Sequence, residues 1–237
     1  MRSLVWFRRD LRISDNTALF EATQAADDGV VGVFLITPKQ WQEHKDADCK
    51  VKFLIENVRD LSDKLACLNI PLLIKPCDDF QEVPALISKL ACEADCDTVF
   101  LNREYEVNES RRDDRVALAC EQSGVALRRF HDRQIVPPKA ISTKEGKFYS
   151  VFTPYRRVWD STARETIETS PIPSSQPEIP INRDPVPEMV AGFDFSNVRS
   201  DLWPPGEDEA HRRLKGFSKS ISSYSTQRDI PSVRGTS

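Results

Sequence analysis

Along the first 130 residues, short runs of β-branched and apolar side chains alternate with stretches of helical period, and this alternation leaves few architectures open. The runs are LVWF (4–7), VVGVFLI (30–36), PLLIK (71–75), TVFL (98–101) and, more weakly, VALRRF (125–130). Helical spacing of apolar residues falls between them, at roughly 16–26, 48–68, 80–94 and 108–122. Strands that are apolar on both faces cannot stand open to water, and a crossover helix between successive strands supplies the cover. The expected fold is α/β: a Rossmann-like five-stranded parallel sheet with flanking helices.

In such a sheet, ligands sit beyond the carboxyl ends of the strands, where strand order reverses. That rule selects the loops after the first, second and fourth strands, RRDLRISDN, TPKQWQEH and NREYEVNE, which are dense in charges, aromatics and amides. None of the three contains glycine, and the whole chain has only eight. A Gly-x-Gly-x-x-Gly dinucleotide cradle is absent, as is a P-loop. The pattern predicts a nucleotide-type crevice without the usual grip on phosphate.

The run REYEVNESRRDD (103–114) sets Glu104, Tyr105, Glu106, Asn108 and Glu109 between the fourth strand and the next helix. Asn108 suits an N-cap, and the acids suit the positive end of a helix dipole. A group of ligand-binding side chains in a crevice loop accounts for the same residues. Arg8, Arg9 and Arg12 cluster in the first loop as a phosphate or DNA site would, but Asp10 and Asp15 among them point to a salt-bridged loop facing a neighbouring domain.

A net charge of -4 gives no general attraction to nucleic acid. The N-terminal apolar stretch is four residues long and runs into arginines, so it is neither a signal peptide nor a membrane span. The six cysteines contain no Cys-x-x-Cys pair and read as reduced, mostly buried thiols of a cytoplasmic protein. Cys92 and Cys96 are one helical turn apart, but no third and fourth ligand follows at a sensible spacing, which argues against a metal.

From about 165 to 205 the composition changes, with eight of the sixteen prolines between Pro171 and Pro205. Such a stretch reads as an extended linker lying on a surface. The next segment, PPGEDEAHRRLKGFSKSISSY, carries acids in its first turn and sets Ala210, Leu214, Phe217, Ile221 and Tyr224 on one face of an amphipathic helix. That face needs a partner, either the first domain or a domain not present here.

Five collinear stretches resemble the DNA photolyase and cryptochrome family: LVWFRRDLRISDN, TPKQWQEH, YEVNESRRD, KFYSVFTPYRRVW and YSTQRDIPSVRGTS. The resemblance is greatest to bacterial class I cyclobutane pyrimidine dimer photolyases of the folate antenna type. It implies an α/β antenna domain (1–131), an interdomain linker (132–205) and, in 206–237, the opening helix of a helical FAD domain that is otherwise missing. It implies 5,10-methenyltetrahydrofolate bound by His44, Asn108 and Glu109. It also implies FAD contacts at Tyr224, Thr236 and Ser237, and a DNA-facing basic position at Arg228. The complete protein would be a deoxyribodipyrimidine photo-lyase acting on damaged DNA by light-driven electron transfer from reduced FAD, with no membrane or metal partner, and this chain alone would be inactive in repair. The alternatives are a cryptochrome-type photoreceptor, a stand-alone pterin-binding module and an unrelated nucleotide-binding α/β domain, the last disfavoured by the missing glycine loop.

Overall fold

A computed structural model describes residues 1–137, 140–166, 169–230 and 232–233. Its centre is a five-stranded sheet of β1 (Arg2–Phe7), β2 (Val30–Ile36), β3 (Leu72–Pro76), β4 (Cys96–Asn102) and β5 (Ala126–Phe130). The strand order is β3-β2-β1-β4-β5 and every pairing is parallel. All five expected strands are present, in the architecture that the alternation predicts.

Alternate side chains of β1 show why both faces need cover. Val5 and Phe7 belong to a core built with α1 (Thr17–Ala25) and α3 (Asp48–Ala66), whereas Leu4 and Trp6 belong to a core on the opposite face built with α4 (Val83–Glu93) and α5 (Val107–Gln122). Those four side chains are each no more than 2% exposed. Burying a residue of this size contributes about 1.5–3 kcal/mol, so the central strand anchors both layers.

The expected helices are present with shifted ends, and two others were not anticipated. TPKQWQEH contains a short helix, α2 (Pro38–Glu43), started by a proline in its first turn. KFYSVFTPYRRVW forms much of α6 (Phe152–Thr166), so a helix lies inside the segment expected to be linker. Three of the six cysteines, Cys49, Cys67 and Cys92, are exposed, which corrects the expectation of mostly buried thiols.

Residues 169–199 form no helix or strand, and they wrap the β3 edge of the sheet. Ile179 and Ile181 pack on the α4/α5 side, whereas Val186 and Val190 pack on the α1/α3 side. Between them, Asp184 N–H donates to the Leu72 carbonyl at 2.9 Å and its carboxylate accepts from Ile74 N–H at 2.8 Å. The proline-rich strap is fastened to the edge strand by a side chain acting where a sixth strand would pair.

The segment expected to be one helix over 206–224 is broken. It comprises α7 (Glu207–Ser218), a 3-10 turn (Ile221–Ser223) and α8 (Tyr224–Gln227). Only the first turn of α7 is docked, and Leu214, Ile221 and Tyr224 remain 65%, 58% and 40% exposed. Among the described residues, no helix is long and apolar enough to cross a membrane.

Candidate functional site

β2 and β3 lie to one side of β1, and β4 and β5 to the other, so the loops leaving β1 and β4 diverge and open a crevice. In many doubly wound domains the first helix turns its free N–H groups toward a ligand phosphate at this point. Here those groups are taken. Thr17 N–H donates to Asp132 Oδ1 at 2.9 Å, Ala18 N–H to Asn102 Oδ1 at 3.0 Å and Leu19 N–H to Asn16 Oδ1 at 3.1 Å. Asn102 Nδ2 also donates to Asp10 Oδ2 at 2.7 Å and to Asn16 Oδ1 at 2.8 Å. The phosphate corner of the fold is filled by the protein's own side chains.

The open space lies beside that corner, in a cavity of about 570 Å³. This is a size that accommodates a small organic ligand. Apolar walls come from Trp6 on β1, Phe34 on β2, Trp41 on α2, Phe53 on α3 and Phe80 ahead of α4. The fourth side is closed by the start of α7, through Gly206, Glu207, Ala210 and His211.

Glu207 fixes that closing helix. Its carboxylate accepts from Ile13 N–H at 3.1 Å, from Ser14 N–H at 3.0 Å and from the Ser14 hydroxyl. Gly206 precedes it with φ +101° and its Cα faces the Asp60 carboxylate so closely that a Cβ would come within 3.0 Å of it. Gly206 N–H donates to Asn57 Oδ1 at 2.9 Å. Only glycine suits both the backbone angle and the approach.

On the β4 side, the cavity is bordered by a buried ion cluster. Arg112 Nη2 donates to Glu104 at 2.8 Å and to Asp113 at 2.7 Å, and its Nε donates to Asp113 at 3.0 Å. Glu104 also has Arg9 at 3.7 Å, Arg8 at 3.9 Å and Arg133 at 4.0 Å. Burial alone would push the Glu104 carboxyl up, but Arg8 and Arg112 outweigh it and hold the group below the usual carboxylate value. Burial likewise pulls Arg112 down, and Asp113 and Glu104 more than reverse it. The Arg8 and Arg112 guanidiniums lie 4.4 and 4.6 Å from the centroid of Trp6, so the ring packs against both cations.

The arginines of the first loop are thus salt-bridged, as expected, but not to Asp10 and Asp15. Asp10 accepts from Arg8 N–H at 2.9 Å and from Asn102, while Asp15 accepts from Ser170 N–H at 3.1 Å. The partners are Glu104, Glu106, Asp113 and Asp132, supplied after β4 and β5. Long-range partners of this kind depend on strand order, which a sequence pattern does not contain.

Of the residues singled out in the sequence, His44 and Glu109 both line the cavity. Glu109 is 5% exposed, yet its carboxylate has no hydrogen-bond or ion-pair partner among the described residues. His44 is exposed at the C-terminal end of α2. Asn108 is exposed on the first turn of α5 and is not among the cavity-lining residues. Nor does it cap that helix: Glu106 occupies the N-cap position, without a side-chain cap bond. Tyr224 stacks edge-on with Phe217 at 5.8 Å, and Arg228 pairs with Asp229 at 3.4 Å. Thr236 and Ser237 lie outside the described residues. Among those described, no group of three or more His, Cys, Asp or Glu is arranged to hold a metal.

Trp6, Arg112, Glu207 and His211 also belong to the site and were not singled out for it. A signal for Arg112 existed in its i+3 spacing from Glu109, which sets both on one face of α5. For Glu207, the signal was an acid immediately after a glycine at the start of a helix.

Fold and cavity together define a class: a doubly wound α/β domain whose ligand space is displaced from the phosphate corner. The DNA photolyase family model matches residues 3–177, and the chain belongs to that family. The deoxyribodipyrimidine photo-lyase of Vibrio cholerae is 32% identical over 99% of this chain and 50% of its own length. The chain spans about half the length of that relative and of the Escherichia coli deoxyribodipyrimidine photo-lyase. Among solved structures, a class III photolyase from Agrobacterium tumefaciens superimposes with a TM-score of 0.78 at 25% identity, over 99% of this chain and 48% of that one. An archaeal photolyase from Sulfolobus tokodaii, solved with two FAD molecules, shares the fold at a TM-score of 0.58 and 21% identity, over 75% of this chain and 38% of that one.

Proposed function

We propose that this chain forms the light-harvesting antenna part of a deoxyribodipyrimidine photo-lyase and binds 5,10-methenyltetrahydrofolate in the cavity beside β1. The observation that carries this is Glu109, a buried carboxylate left without a protein partner on the wall of a 570 Å³ cavity. A pterin presents an amino group next to a ring nitrogen, an edge of two donors that one carboxylate accepts in bidentate fashion. His44 offers a flat ring or a ring N–H from the α2 side. Asn108, exposed on the same helical turn as Glu109, acts from the rim on the part of the ligand that projects toward solvent. The Trp41, Phe34 and Phe80 walls keep water from the ring.

When bound, the folate supplies absorption of near-UV and blue light and passes the excitation to a flavin. This chain's residues bind it, orient it and shield it. Residues 1–131 form the antenna unit, 132–205 the connection with α6 inside it, and 206–237 the approach to an FAD-binding domain. Tyr224, Thr236 and Ser237 belong to that flavin site, and Arg228 faces DNA. Electron donation from reduced FAD to a flipped-out pyrimidine dimer is the activity of the longer protein, in the cytoplasm.

Titration of the purified chain with 5,10-methenyltetrahydrofolate, followed by induced circular dichroism of the ligand's visible band, tests the proposal. Saturable binding is expected, with affinity falling about tenfold or more in E109Q, the scale of a lost hydrogen bond to a charged group. Absence of binding by the unmodified chain overturns it. The chain alone is expected to leave a dimer-containing oligonucleotide unrepaired under illumination.

A further inference from the structure

Glu109 and Arg112 stand three residues apart on one face of α5, both are at least nine-tenths buried, and both line the same cavity. An acid and an arginine at that spacing ordinarily pair. The Glu109 oxygens are not among the buried unpartnered atoms of the described residues, so they open into the cavity, within reach of a guanidinium on the next turn. Yet they do not pair. Arg112 is turned the other way, with Nη2 held by Glu104 at 2.8 Å and by Asp113 at 2.7 Å, and Nε held by Asp113 at 3.0 Å. Arg8 stands within ion-pair distance of the same two acids, Nε 3.9 Å from Glu104 and Nη2 3.8 Å from Asp113, while its Nη2 hydrogen-bonds the Asn102 carbonyl and its Nε and Nη1 have no hydrogen-bond partner among the described residues.

We propose that Glu104 is a positioning residue for the cavity: together with Asp113 it holds Arg112 away from Glu109, so that the Glu109 carboxylate stays free to accept a ligand's paired N–H donors. The proposal rests on the folate reading of the cavity and adds the means by which the acceptor is kept open. The hydrogen bonds of Arg112 all go to Glu104 and Asp113, and this leaves Glu109 as the unclaimed acceptor on the same helix. With Glu104 neutral, Asp113 faces Arg8 and Arg112 alone, and Nη2 of Arg112 loses one of its two acceptors. The nearest unpaired carboxylate on its own helix is then Glu109, one turn back. A guanidinium on Glu109 occupies the same two oxygens that a pterin edge requires.

The test uses the full chain and 5,10-methenyltetrahydrofolate as the probe. E104Q is expected to raise the Kd at least tenfold; Glu104 also lines the cavity, and the double variant separates a positioning role from a direct contact. The E104Q/R112Q double variant is expected to return to within about threefold of the unmodified chain, because the competing guanidinium has gone. A purely structural role for Glu104 gives no such rescue, since the second substitution then only adds damage. A crystal structure of E104Q without ligand is expected to show Arg112 ion-paired with Glu109. Unchanged affinity in E104Q, a double variant no better than the single one, or Arg112 still on Asp113 alone each overturns the proposal. Should E104Q not fold, D113N and D113N/R112Q make the same comparison from the other arm of the clamp. Failure of the folate reading has a separate signature, an E109Q variant that binds as tightly as the unmodified chain, and that outcome removes the positioning role with it.

Discussion

Asn102 Nδ2 lies 2.8 Å from Asn16 Oδ1, and this contact joins the end of β4 to the start of α1 across the corner where related folds hold phosphate. Each asparagine also satisfies an N–H of the helix's first turn. The contact explains why a chain without a glycine loop can keep a Rossmann-like sheet: the groups that glycines would present to a ligand are capped internally.

Asn102→Ala leaves Ala18 N–H and one Asp10 oxygen without their partner in a buried site. The expected loss is about 3 kcal/mol, the scale of two unsatisfied buried groups. Urea unfolding followed by far-UV circular dichroism measures it, and a loss below about 1 kcal/mol contradicts the capping role assigned to Asn102.

Glu207→Ala removes the acceptor for two backbone N–H groups and a hydroxyl of the first loop. The first turn of α7 is expected to release from the sheet domain, opening one wall of the cavity. Hydrogen exchange should accelerate at the Ile13 and Ser14 amides and along 207–218, while the β1 amides stay protected.

Stability is expected to fall in acid partly through Glu104. Its folded value lies below the ordinary 4.5, so the stabilisation is complete above that ordinary value and is lost as pH falls through the lower, folded one. E104Q lacks this contribution. Its midpoint for urea unfolding should therefore change less between pH 5 and about 3 than that of the unmodified chain, provided it folds.

Thiol labelling should divide the cysteines in two. Cys77 and Cys120 are pushed up to about 11 and Cys96 to about 12, chiefly by burial, whereas Cys49, Cys67 and Cys92 are exposed. At pH 8 a thiol reagent is expected to modify the exposed three rapidly, and the other three only after denaturation.

The five strands and the four main crossover helices were legible because apolar period reports burial directly. α2 and α6 were not: α2 is only six residues long, and α6 does carry an apolar stripe at helical spacing, Tyr155, Val158, Trp159 and Ala163, which the proline-rich stretch after it masks. In the site, His44 and Glu109 were legible only through the family motif, while the absence of a partner for Glu109 became visible only in three dimensions. Glu104 was noticed as one acid in a crowded run. Its four arginines come from the β1 loop, α5 and the chain after β5, and no local pattern brings those together.

The strap over β3 has a consequence for the order of synthesis. Asp184 fastens to Ile74 across 110 residues of chain, so β3 emerges from the ribosome long before its fastening exists. At typical translation rates that interval is roughly 5–20 s. Throughout it, the β3 edge of an apolar parallel sheet lacks the strap that later closes it, which makes the nascent chain a client for whatever binds exposed strands during that time.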